Sequence, residues 1–190
     1  MGRIVLIGVT AIVIALGAWQ RETGEPVLFT LDAEGNVPAI WSGFLLLLAG
    51  VAGVRATRTD GRPWPWWPLA ALLLFMAADE VAGLHEAIER HTGVDWQLLY
   101  LPVIASGGAA AVGALIVLRG RPWLAAGFCA ACAAWAFAQL LEALQWDGAH
   151  PAAGYGAMMV GEESLEMVGS LVFAFVLLEL ARPHVGASGG

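Results

Sequence analysis

Residues Pro68–Glu89 read PLAALLLFMAADEVAGLHEAIE. The stretch is long enough to cross a bilayer as a helix, which takes ~17–25 residues. Its first half is wholly apolar, and its second half carries Asp79, Glu80, His85, Glu86 and Glu89. Burying one acid at mid-bilayer costs ~2.5–3.5 kcal/mol on the insertion scale, so acids in such a segment face the inside of a helix bundle. A water-soluble helix would alternate its polar and apolar positions along its whole length.

The rest of the chain agrees with a membrane bundle. Of its 190 residues, 59% are hydrophobic and 13% charged, against roughly a quarter charged in soluble domains. The mean hydropathy is +0.72. These values exclude a soluble enzyme and a disordered tail. A net charge of −7 argues against nucleic acid as a partner, because phosphate binding needs basic patches. All nine basic residues are Arg, so no lysine Schiff base can form. Two cysteines supply no disulfide framework; Cys129 and Cys132 read as small packing residues in an alanine-rich helix, away from the acids.

Six stretches qualify as spans: Ile4–Trp19, Ala39–Val54, Pro68–Glu89, Leu98–Leu118, Trp123–Trp146 and Tyr155–Leu180. With flanking residues they cover 4–20, 38–55, 67–90, 97–118, 122–146 and 155–181 of one domain, 1–190. The expected fold is an all-α integral membrane bundle of six helices, and the first segment is read as a retained anchor rather than a cleaved leader. Arg3, Arg55, Arg58, Arg62, Arg119, Arg121 and Arg182 fall on one side, and only Arg21 and Arg90 on the other. The positive-inside rule then makes both termini cytoplasmic, as in a cell membrane or bacterial inner membrane. Trp19, Trp41, Trp96, Tyr100, Trp146 and Tyr155 are expected at the outer interface, and Trp64, Trp66, Trp67 and Trp123 at the inner one. The Val27–Leu31 run suggests a small hairpin or turn on the outer surface.

Two further segments carry polar stripes: Gln139, Glu142 and Gln145 in the fifth, and Glu162, Glu163 and Glu166 in the sixth. At about 100° per residue each stripe occupies roughly 100–120° of its helix. In the third segment Asp79, His85, Glu86 and Glu89 share an arc of about 120° and Glu80 lies off it. A rise of ~1.5 Å per residue places His85 and Glu86 roughly 8–9 Å below the outer end, Glu162 and Glu163 about 9–11 Å, and Glu142 about 5 Å. Glu80 and Glu166 both come near ~15 Å. The stripes therefore meet at one level in the outer half.

Eight carboxylates at that level, with no Arg or Lys inside the three spans, cannot all be ionised without cations. Either several hold protons or metal ions supply the positive charge. The i,i+3 and i,i+4 spacings of His85, Glu86 and Glu89, and of Glu162, Glu163 and Glu166, favour one or two divalent ions, with Zn, Fe or Mn suited to carboxylates plus one imidazole. Carboxylate-bridged dimetal bundles use two Glu-x-x-His pairs, and this chain has none. His85-Glu86-x-x-Glu89 is a relative of the His-Glu-x-x-His zinc helix with Glu in the second ligand place.

The expected ligands are Glu86, Glu163, Glu166 and His85, with Glu142, Glu162, Glu89 and Glu80 bridging or supporting. Asp79 is the deepest acid, and Gln139 and Gln145 hold ligands or water. Glu86 and Glu142 are the expected acid–base groups. The leading expectation is a metal-dependent membrane oxidoreductase or hydrolase, activating water or dioxygen toward a small lipophilic or interfacial substrate. Cation or proton translocation through the acids, and a non-catalytic subunit of a homo-oligomer or larger membrane complex, are the alternatives. Below Asp79 the chain is Leu72-Leu-Leu-Phe-Met-Ala-Ala78, so a blind pocket is expected rather than a channel.

Overall fold

The computed structural model describes residues 1–33, 35–59, 63–94, 96–147 and 150–182, with the backbone alone at Glu86. Its helices are α1 (Gly2–Thr23), α2 (Val37–Thr59), α3 (Pro63–Ala82), α4 (Leu84–Thr92), α5 (Trp96–Leu99), α6 (Leu101–Leu118), α7 (Pro122–Leu144) and α8 (Tyr155–Leu180). Val27–Phe29 is a 3₁₀ turn, so the expected outer-loop turn is helical in form. The hairpin is elsewhere: Trp146 pairs with Pro151 and Asp147 with His150, between α7 and α8.

Helices α1, α2, α6 and α7 are each long and apolar enough to cross a membrane. Helices α3 and α8 are of comparable length, 20 and 26 residues, and carry the acids. The fold is thus all-α, with apolar helices of membrane length. Two expected spans are interrupted. Pro68–Glu89 divides into α3 and α4 at Gly83, and Leu98–Leu118 into α5 and α6 near Tyr100.

Helix α2 packs on α3 and α8, α8 on α7, and α3 on α6. Helix α6 touches α7 over only a short stretch. These five follow one another around a ring, and α1 lies outside against α8 and α2. Small residues set the close approach of α2 to α3. A Cβ at Gly50 would strike Leu74, one at Gly53 would meet Ala70, and one at Gly43 would strike Val81. Such small-residue faces let apolar helices approach closely and gain van der Waals contact along their backbones. The Gly107–Ala114 face of α6 packs likewise: Gly107 lies under Leu72, and Ala110 and Ala114 are buried.

One end of the bundle is fixed by named bonds. Arg3 pairs with Glu179 at 2.5 Å, and Arg182 with the same carboxylate at 3.0 Å. Thr59 Oγ1 donates to the Leu180 carbonyl at 2.9 Å. The start of α1 and the ends of α2 and α8 therefore lie together. Trp66, Leu118, Phe128 and Leu177 belong to the main core in this half. Trp66 is 0% exposed, so it is a core residue rather than an interfacial anchor, whereas Trp64, Trp67 and Trp123 are exposed as expected. Arg62 lies outside the described residues.

Candidate functional site

The break at Gly83 organises the opposite end. Gly83 has φ 57° and ψ 40°, a left-handed conformation that glycine adopts without steric cost. Gly83 has no side chain with which to cap α4. The Asp79 carboxylate does so from the preceding turn, accepting from the His85 N–H at 3.0 Å. The same carboxylate accepts from His85 Nδ1 at 3.0 Å and from the Tyr100 hydroxyl at 3.1 Å. Asp79 thus ties together three segments, α3, α4 and the start of α6.

The break leaves Glu80 near the end of α3, where it meets α8. Carboxylate oxygens of Glu80, Glu163 and Glu166 all lie within 4.8 Å of one another. Glu163 and Glu166 are 8 and 11 residues into α8, which is roughly 12–16 Å from its first turn. Side-chain amides surround the cluster. Gln139 Nε2 donates to Glu166 at 3.3 Å, and Gln145 donates to Glu162. Gln97 Nε2 bonds Gln139 at 3.3 Å and Glu142 at 3.1 Å, and Trp96 Nε1 donates to Glu142 at 2.9 Å. The indole of Trp96 also lies 5.1 Å from the His85 ring. One polar network therefore runs from Tyr100 and Asp79 through Trp96 to the acids of α7 and α8.

Beneath this network is a cavity of about 900 Å³. Its polar end is lined by seven carboxylates, from Asp32, Asp79, Glu80, Glu142, Glu162, Glu163 and Glu166, and among the described residues its one basic side chain is His85. Its lower walls are Leu69, Leu72, Leu73, Met76, Gly108, Ala111, Cys132 and Phe173. A polar mouth thus leads into an apolar chamber.

The profile of a family described as Domain of unknown function (DUF8692) matches residues 6–180. The chain belongs to this DUF8692 family. No curated protein and no solved structure matches it, so the chemistry of this DUF8692 chain must be argued from its own side chains.

Those side chains are distributed differently from the single-helix expectation. Glu80, placed off the expected arc, is in the triad with Glu163 and Glu166. The common depth expected of Glu80 and Glu166 is met. His85 lines the cavity but turns Nδ1 to Asp79, outside the triad. Glu89 is exposed on α4, because the αL residue at Gly83 re-aims everything after it. The side chain of Glu86 lies outside the described residues. Glu142, Glu162, Gln139 and Gln145 all face the cavity, as the stripes on their helices require. Trp96, Gln97 and Tyr100 are additions. The two aromatics read as lipid-edge residues, yet they hold Glu142 and Asp79. Their i,i+4 spacing on one face was the available signal.

Proposed function

We propose that this DUF8692 chain is a six-span membrane protein in which Glu80, Glu163 and Glu166 hold a divalent metal ion, and that the ion serves an enzymatic reaction on a lipophilic substrate. Helices α1, α2, α3, α6, α7 and α8 are the spans, with both termini cytoplasmic. The clustering of Arg55, Arg58, Arg119, Arg121 and Arg182 at the end that holds Arg3 supports this orientation.

The observation that carries the proposal is the meeting of three carboxylates, from two helices far apart in sequence, at the polar end of an apolar cavity. Three carboxylate oxygens are hard ligands, so the set suits Mn(II) or another hard divalent ion better than a nitrogen- or sulfur-seeking one. His85 is not in the triad, which is therefore made of oxygen donors alone. Gln139, bonded to Glu166, orients a ligand from outside the cluster, as supporting groups do at metal sites. The ion would supply Lewis-acid activation of water, or, as redox-active Mn(II) or Fe(II), electrons to dioxygen. Glu142, fixed by Trp96 and Gln97 at 2.9 and 3.1 Å, is the group placed to take or return a proton. The apolar floor at Leu69, Leu73 and Phe173 favours a blind pocket over an ion conduit.

Elemental analysis of detergent-purified protein, prepared without chelators and dialysed against Mn(II), tests the metal. The expected result is about one ion per chain in the parent. It should fall at least tenfold in Glu163→Gln and Glu166→Gln, while Glu89→Gln keeps it. A parent without bound ion after dialysis would refute the proposal.

A further inference from the structure

The cavity has an unusual wall. Its α3 and α8 side is closed by Leu69, Leu73 and Phe173, exposed by 3%, 1% and 6%. Its α5–α6 side is made of residues that also face outward: Leu98, Leu101 and Ile104 line the cavity yet are 61%, 55% and 47% exposed. Gly108 on α6 and Ala136 on α7 line it and are exposed too. Helices α6 and α7 are joined by the three-residue turn 119–121 and share few contacts beyond it. A side slot therefore connects the chamber with the surface that lipid would cover. A Cβ at Gly108 meets nothing within 4 Å, so the slot is open at that point.

We infer that the cavity takes an alkyl amphiphile with a neutral or cationic head, admitted sideways from the bilayer between α6 and α7. This deepens the proposed function by naming the substrate class, and it rests on the membrane placement given there. The chain fits the lower chamber. Asp79 and Leu69, at its top and bottom, are ten residues apart on α3, which is a depth of roughly 15 Å. The volume of about 900 Å³ lies within the ~300–1,000 Å³ range of pockets that enclose a ligand of drug size. The head is limited by charge. Seven carboxylates at the polar end, with no Arg or Lys lining among the described residues, repel a phosphate or sulfate head. Gln97, Gln139 and Gln145 offer amides that bond hydroxyl, amide or amine groups equally well.

The test uses the full chain in nanodiscs and three probes with the same alkyl chain and a terminal diazirine: an amine, a primary amide and a monophosphate. Photolysis and peptide mapping locate the adducts. With the amine and the amide, adducts are expected on Leu69–Leu73 of α3 and on Ala111 or Cys132. They should be at least tenfold scarcer with the phosphate. Gly108→Phe, which fills the slot at its open point, should cut deep labelling tenfold and leave the thermal transition unchanged. Ile104→Trp is the second variant at the same mouth. Labelling confined to exposed Leu47, Val112 and Ile116 would overturn the inference, as would phosphate labelling the chamber as well as amine. Metal content measured on the same samples separates the two proposals. Deep labelling of a metal-free protein sustains the amphiphile site and removes the metal, and a loaded protein with surface labelling alone does the reverse.

Discussion

Replacing Asp79 by alanine should release α4 from the bundle. The carboxylate accepts from the His85 backbone N–H, the His85 ring and the Tyr100 hydroxyl, at 3.0, 3.0 and 3.1 Å. Loss of a helix N-terminal cap costs ~1 kcal/mol. Each side-chain bond to a charged acceptor contributes ~1.5–3 kcal/mol. Against these stands the desolvation that burial of the carboxylate imposes, which alanine relieves. The balance is a destabilisation of α4 docking of ~2–4 kcal/mol. At ~1.4 kcal/mol per factor of ten, amide exchange in 84–92 should accelerate at least ~30-fold. Hydrogen exchange with mass spectrometry on nanodisc protein reads this directly. Peptides around Leu118 and Leu177, in the core at the opposite end, serve as the internal reference. Asp79→Asn retains an acceptor for the cap and should lose less. Protection of 84–92 within threefold of the parent in Asp79→Ala would refute the idea that this side chain holds the broken helix.

Gly83→Ala forces a Cβ onto a residue at φ 57° and should cost ~1–2 kcal/mol, seen as a lowered thermal transition and exchange confined to α4. Gly169→Ala places a Cβ 2.8 Å from Trp135 Cδ1; over-packing of this kind costs ~1–3 kcal/mol, whereas Gly156→Ala meets only the flexible end of Arg21 and should be near neutral in the same melts. Arg3→Ala removes the 2.5 Å pair with Glu179. Both side chains reach the surface, so the loss should stay below ~1 kcal/mol, and a drop in stability greater than that would show the pair to be a structural clamp.

Much of this fold could be read from periodicity and composition, because an apolar run of membrane length has few alternatives. Tyr155–Leu180 was delimited to the residue, and the stripe Glu162, Glu163 and Glu166 does face the cavity. What failed was the assumption that Pro68–Glu89 is one helix. Glycine inside a helix costs only ~1 kcal/mol relative to alanine, so Gly83 alone did not announce a break, and the 100° rule was carried through it. Asp79 and His85, on either side of the break, both line the cavity, whereas Glu89, one turn further on, is exposed. Glu80, expected off the arc, is in the triad because that side of α3 meets α8, and Glu89 is exposed because the break re-aims α4. Trp66 misled for another reason: indole prefers the interface, but Trp66 sits among Pro65, Leu118 and Leu177 in the core half, where packing overrides that preference.

The break and the acids require each other. Non-helical backbone within the depth of a membrane persists only where protein or a water-lined cavity satisfies its polar groups. At Gly83 the N–H reaches the Asp79 carbonyl at 2.8 Å, its own carbonyl accepts from Ala87 at 3.0 Å, and the Asp79 side chain accepts from the His85 N–H two residues on. By ending at Ala82, α3 presents Glu80 to α8 while the chain folds back over the cavity as α4 and α5. The placing of His85 and Tyr100 at the polar mouth thus depends on one glycine and one carboxylate. It follows that Asp79→Ala should loosen the Glu80–Glu163–Glu166 cluster, although Asp79 is not a member of it.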